Sequence, residues 1–557
     1  MSKRMAQLRA ILDTVDPDTA HRAHLLENYR ALADVQRQQR HWVAELLSGP
    51  QVGAWAAQCL RHLSTEPVST ETPLWIHLAH LGSVAASAAQ QKGLRVRVRV
   101  PVRSGAVHFP ALGRALCSQP GPALVECVTG PDGILLDGKP PMSWEPVRLL
   151  RTEADGVTLR VHVDDVDPYW DSFRLPVTRL TDDELDTWRT RLDAAWQVLA
   201  DRHSHRLHTM AAAIRCLVPV ARAGQLGGVS ASSSDAPGAT VLTEPVSPER
   251  LAATLIHESQ HHRLATLHDL KPLYTTPSRQ LLYSPWRNDP RPLSGVVHGL
   301  MAFFGVADFW SRERTGPTTE LEYARHVRQL RVAHRVAAGA TELTPLGAAL
   351  VDALGEAVDA LPVDIGPPEV RRIADDLVTE HRASWRLCNV VPDESATRAA
   401  VLAWRGSGSA LDDLVEHAGT PRHADPSGDN PFTRVAMAWL ENASEVRALA
   451  ADEELFAKRF PGATPGDLDL VMGDYPAARD DALARVAGGA TDDRTWATLV
   501  VAHGHACAVP ERSPLVRSPE LVRAAFAAIS PAHDTAPLLA LMSRYEAGTS
   551  MSASIRR

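Results

Sequence analysis

The chain has 557 residues, of which 45% are hydrophobic and 22% charged, and a formal net charge of −8. That length exceeds one ordinary core and the composition is that of a globular protein of several domains, while a pI near 6.3 supplies no basic field for nucleic acid or an anionic membrane surface. Cys59, Cys117, Cys127, Cys216, Cys388 and Cys507 are scattered, without a C-x-x-C pair or a C-x-x-x-C-x-x-C cluster, which reads as reduced thiols and excludes a radical-initiating iron–sulfur centre.

Residues 1–13 carry positive charge but only a broken apolar run, so they lack the core of a signal peptide and point to a cytoplasmic protein. No stretch reaches the roughly 18 uninterrupted apolar residues of a membrane span; the nearest, 296–310, is interrupted by His298 and Asp308. From the start to about Gln91, apolar residues recur at three- and four-residue steps, as at Leu25, Leu26, Tyr29 and Leu32, which predicts helices. His77 and His80 fall within a small-residue helix and read as core or surface histidines.

The period then changes. Residues 94–101 alternate apolar and basic, predicting a half-buried strand with Arg95, Arg97 and Arg99 on one face, either a solvated sheet surface or a strip that receives an acidic peptide. Further short strands are expected at 106–109, 123–128, 134–136, 147–151 and 157–163. Helix is expected over 181–223, from a capping-box-like Thr181-Asp-Asp-Glu184, with Trp188, Leu192, Trp196 and Leu199 on one face and His203, His205 and His208 as a solvated or outlying cluster.

A Gly- and Ser-rich loop at 227–238 and a short strand at 239–244 lead to a helix whose start is marked by Ser247, Pro248 and Glu249. This helix carries His257-Glu-Ser-Gln-His261, the H-E-x-x-H pattern. Two imidazoles four residues apart lie on one helical face and reach a single divalent metal, with Glu258 placed to work beside it. A strand, a short loop and this helix, in that order, match zincin-like sites, in which an edge strand holds an extended peptide.

Downstream, Tyr283-Ser-Pro-Trp-Arg-Asn-Asp-Pro-Arg-Pro292 reads as a rigid, extended segment, either a salt-bridged crossover or a place where Arg287 or Arg291 grips a carboxylate. An apolar helix over 295–310 follows. Its His298 is the first choice for a third metal ligand, with Asp308, Glu320 and Glu322 as acidic alternatives. Beyond about Thr318 the pattern is helical, with loops at 404–410, 420–431 and 460–478 and with His503 and His505 at strand-like spacing. The expected architecture is α+β and predominantly helical: an N-terminal helical and small antiparallel β region (1–175), a helical H-E-x-x-H metal core (176–340) and a helical C-terminal region (341–557).

Residues 75–114, the Pro-Gly-Ala-Thr-Val-Leu-Thr-Glu-Pro run before the motif, His257–His261 themselves and the Tyr283–Leu293 segment together resemble the H-E-x-x-H peptide-modification family of ribosomal peptide natural-product pathways. The resemblance is strong over 40–310 and weak in the C-terminal third. It implies an iron(II)- and 2-oxoglutarate-dependent hydroxylase acting on Cβ of a residue in a precursor peptide, with Arg291 or Arg287 holding the far carboxylate of 2-oxoglutarate and a partner maturation enzyme alongside. The rival on the motif is a gluzincin-type zinc peptidase, with Glu258 as general base and Glu320 or Glu322 as third ligand. A third reading is a non-catalytic peptide-binding scaffold.

Overall fold

The computed structural model describes residues 2–64, 72–221, 228–275, 280–363, 365–406, 420–421 and 430–546. The protein is α+β and predominantly helical, with its sheets in the N-terminal half. It divides into two compact units, Met1–Lys271 and Pro272–Arg557. This boundary falls inside the 176–340 segment, immediately after the motif helix, where Pro272 follows the helix end at Leu270.

In the first unit, six helices between Ser2–Thr14 and Leu74–Gln90 precede eleven strands: β1 (Arg97–Val102), β2 (Ala106–Phe109), β3 (Gly113–Leu116), β4 (Ala123–Gly130), β5 (Gly133–Leu136), β6 (Ser143–Pro146), β7 (Arg148–Ala154), β8 (Val157–Val163), β9 (Cys216–Val220), β10 (Ser230–Ala231) and β11 (Ala239–Thr243). Two small antiparallel sheets run β1–β4–β5 and β2–β3–β6. The third has the order β10–β11–β9–β8–β7 and is mixed, with β9 parallel to both β8 and β11.

The periodicity explains most of this. Alternation along β8 buries Val157, Leu159, Val161 and Val163, and the cap of the Asp182–His203 helix is the expected box, Thr181 with Glu184. Trp188, Leu192, Trp196 and Leu199 are all buried on that helix. His203 is also fully buried, whereas His205 and His208 are exposed, so the three do not form one solvated group. Helix does not persist to 223 as expected. The Leu207–Ala213 helix ends, and Cys216–Val220 forms β9, every residue of it buried between two parallel neighbours. Such a strand is apolar on both faces and carries no alternation to read.

The second unit is built of helices that mostly begin on proline, as in Pro317–Ala338, Pro345–Asp359, Pro368–Asn389, Pro431–Ala450 and Pro519–Ile529. Leu293–Arg312 packs against Pro317–Ala338. Its length and mean hydropathy of 1.4 suffice for a membrane span, and 56% of that window is buried inside the protein. The loop expected at 460–478 is instead the helix Pro465–Met472, capped by Thr464 and Asp467, followed by the start of Tyr475–Ala487. His503 and His505, expected at strand spacing, lie on the Asp493–Ala506 helix, which Asp492 caps. Most of the loops expected at 404–410 and 420–431 lies outside the described residues.

Candidate metal centre

The motif helix, Pro248–Leu270, starts where its residues require: the Ser247 hydroxyl accepts from the Arg250 N–H at 3.3 Å, Pro248 takes the first position and Glu249 the first turn. Leu251, Leu255, Ile256 and Leu264 are buried, and the helix packs against the Asp182–His203 helix within the first unit. His257 and His261 are half-buried, and their Nε2 atoms lie 3.0 Å apart with the ring planes at 81°. Two nitrogens at that separation can each sit about 2.0–2.1 Å from one divalent ion. Burial lowers the His257 imidazole to about 4, which leaves it neutral at pH 7 with a lone pair to donate.

Glu258 is 1% exposed. Its Oε1 accepts from the Ser230 hydroxyl at 2.7 Å and lies 4.0 Å from Nε2 of His257, while Oε2 is buried without a hydrogen-bond partner. One turn on, His262 faces the strands: Nδ1 accepts from the Gly238 N–H at 3.2 Å, so its proton sits on Nε2, which is buried and unpartnered. Burial lowers the His262 pKa against the opposing pull of Glu258. Helical spacing therefore gives this helix two polar faces, one carrying the imidazole pair and one carrying Glu258 and His262.

Ser230 and His262 were not singled out in the sequence. Ser230 lies 28 residues before Glu258 in a loop of similar serines, and only the pairing of β10 with β11 brings it to the carboxylate. β10 is the outer strand of its sheet, and beside it a cleft of about 90 Å³ runs along β11 to Arg250, Leu251 and Thr254 on the first turns of the motif helix.

His298, Arg287 and Arg291 belong to the second unit. Both arginines turn to Asp289, Arg287 Nε at 2.8 Å from Oδ1 and Arg291 at 3.0 Å from Oδ2, so two cations share one carboxylate and a net positive charge remains. The Pro-rich segment is tied down by Gln329 to the Pro285 carbonyl (2.8 Å) and by Asn389 to the Asn288 carbonyl (2.8 Å). It lies flat on the Leu293–Arg312 helix because Gly295 and Gly299 leave room: a Cβ at Gly299 would meet the Trp286 ring at 2.9 Å, and one at Gly295 would meet Arg291 at 3.1 Å. Trp286 stacks on Phe303 at 4.4 Å. His298 is half-buried on the same helix. Of its alternatives, Asp308 approaches Arg312 at 3.6 Å and Glu322 pairs with Arg325 at 2.7 Å.

Among the described residues, no group of three or more His, Cys, Asp or Glu side chains is placed to hold a metal ion. His257 and His261 form a converging pair, with Glu258 at its side. No protein-family model matches the chain, and no curated protein matches it.

Proposed function

We propose that this chain is an iron(II)- and 2-oxoglutarate-dependent dioxygenase that hydroxylates Cβ of a residue in a ribosomally synthesised precursor peptide. The observation that carries the metal site is the approach of the two Nε2 atoms of His257 and His261 to 3.0 Å. Supporting it are the neutral state of His257 and the buried carboxylate that Ser230 holds beside the pair. When bound, the metal and its cosubstrate supply the oxidising chemistry, and the chain supplies position and exclusion of water. His257 and His261 donate their Nε2 lone pairs. Ser230 fixes Glu258, and β10, the outer strand of its sheet, with its adjoining cleft offers a place for an extended peptide. The assignments of His298, Arg287 and Arg291 rest on the sequence resemblance and are tested by substitution one residue at a time.

One observation favours the zinc peptidase reading: Glu258 Oε1 stands 4.0 Å from His257 Nε2, and a carboxylate next to the metal ligands is what a general base for a metal-bound water requires. Anaerobic addition of iron(II) and 2-oxoglutarate separates the two. The hydroxylase gives a weak visible charge-transfer band and, in air, adds one oxygen atom to a precursor peptide encoded beside its gene. Tight zinc binding with cleavage of that peptide would replace this reading with the peptidase.

A further inference from the structure

β1 is an outer strand of its three-stranded sheet. In an antiparallel ladder, successive residues aim their N–H and C=O groups alternately at the two sides. Val96, just before β1, faces β4: its carbonyl accepts from the Thr129 N–H at 3.0 Å and its N–H donates to Thr129 Oγ1 at 3.2 Å. Arg99 faces the other way, and there the buried Asn28 closes both groups, accepting the Arg99 N–H at 3.2 Å and donating to its carbonyl at 3.0 Å. Asn28 thus replaces a neighbouring strand at a single residue.

Arg97, two residues earlier, directs its backbone groups to that same edge, and continuing the alternation through Val96 brings Arg95, just before β1, to it as well. Here the Leu25–Gln38 helix, which supplies Asn28, stands off from the strand and leaves a cleft of about 330 Å³. At about 30 Å³ per water, that space exceeds one side chain severalfold. Ala31, Val35, Leu94 and Val96 give it an apolar side, and Asp34 and Gln38 lie at its polar margin. The charge is one-sided. Arg95, Arg97 and Arg99 are all exposed, Glu126 offsets only Arg97 at 3.2 Å, and Asp34 is paired with Arg37.

We propose that this edge takes an extended acidic peptide segment as an added strand beside β1. The segment's backbone bonds to Arg97 and Arg95, its acidic side chains meet the three arginines, and its alternate apolar side chains enter the cleft. The inference rests on the strand edge, the cleft and the charge, and is independent of the metal chemistry.

The test uses the full chain and a dye-labelled, capped heptapeptide, Glu-Val-Glu-Thr-Glu-Val-Glu, followed by fluorescence anisotropy. Saturable binding is expected that weakens as salt is raised and the Debye length shrinks. Reversing two exposed charges in Arg95→Glu/Arg97→Glu should weaken it about tenfold, and Ala31→Trp, which fills the cleft, should abolish it. Amide exchange at Arg95 and Arg97 should slow on binding to the wild type, a readout that needs no variant. The proposal is overturned by the absence of saturable binding up to about 1 mM, by equal binding of the peptide with Lys for Glu, or by affinity unchanged in both variants.

Discussion

The first unit contains two helical histidine pairs, and they do opposite things with the same side chain. His257 and His261, four residues apart, turn their Nε2 atoms toward each other at 3.0 Å. His77 and His80, three residues apart on Leu74–Gln90, are 3% and 1% exposed and pack around Tyr169: His77 Nδ1 meets its hydroxyl at 3.3 Å, and His80 meets its ring edge-on at 5.0 Å. A shared tyrosine takes up the second pair as core, whereas in the first pair the two imidazoles meet each other beside the buried Glu258 carboxylate. Spacing alone does not make a metal site; what the ring nitrogens already bond to decides it.

The largest effect that separates the pairs is on metal. His257→Ala and His261→Ala should each lower metal affinity by more than about 100-fold, the upper end for losing a merely supporting partner. His77→Leu should leave metal content unchanged by mass spectrometry. Next is the seat of the second pair. Gly82, two residues after His80 on the same helix, is where that helix meets β1: a Cβ there would stand 2.1 Å from the Arg99 carbonyl oxygen, so Gly82→Ala should cost about 3 kcal/mol in urea unfolding while metal binding survives in the folded fraction. Ser230→Ala removes the 2.7 Å bond to Glu258 and should weaken metal binding about tenfold, measured by competition with a chelating dye.

The smallest effect concerns the core pair. Burial, followed by the charge of Arg103, lowers His77 to about 3, and burial also holds His80 well below its ordinary value. The folded state therefore declines protons that the unfolded chain takes up below about pH 6.5, so this contribution to stability is complete above that pH and is lost as pH falls toward 3. His77→Leu should cost about 1 kcal/mol at pH 7.5, the worth of its bond to Tyr169, and should shrink the drop in unfolding midpoint between pH 7.5 and 5.

The motif helix was legible because its signals are local: Ser247, Pro248 and the apolar spacing all lie within the helix or one residue before it. The alternation at β1 and β8 was legible for the same reason. β9 was not, since Cys-Leu-Val-Pro-Val is apolar throughout and only its two parallel neighbours make it a strand. His503 and His505 misled because a gap of two suits a strand, while the Asp492 cap eleven residues earlier sets a helix. At the site, His257, Glu258 and His261 could be named from spacing. Ser230 and His262 could not, because Ser230 reaches Glu258 from β10 and His262 takes its partner from the Gly238 turn.

The central claim is that His257 and His261 hold one catalytic iron. Anaerobic titration of the full chain with iron(II) in the presence of 2-oxoglutarate, followed by visible absorbance, tests it most directly. The account predicts a charge-transfer band that saturates at one iron per chain and is missing from His257→Ala and His261→Ala. A band of undiminished intensity in either variant, or none in the wild type, would contradict it.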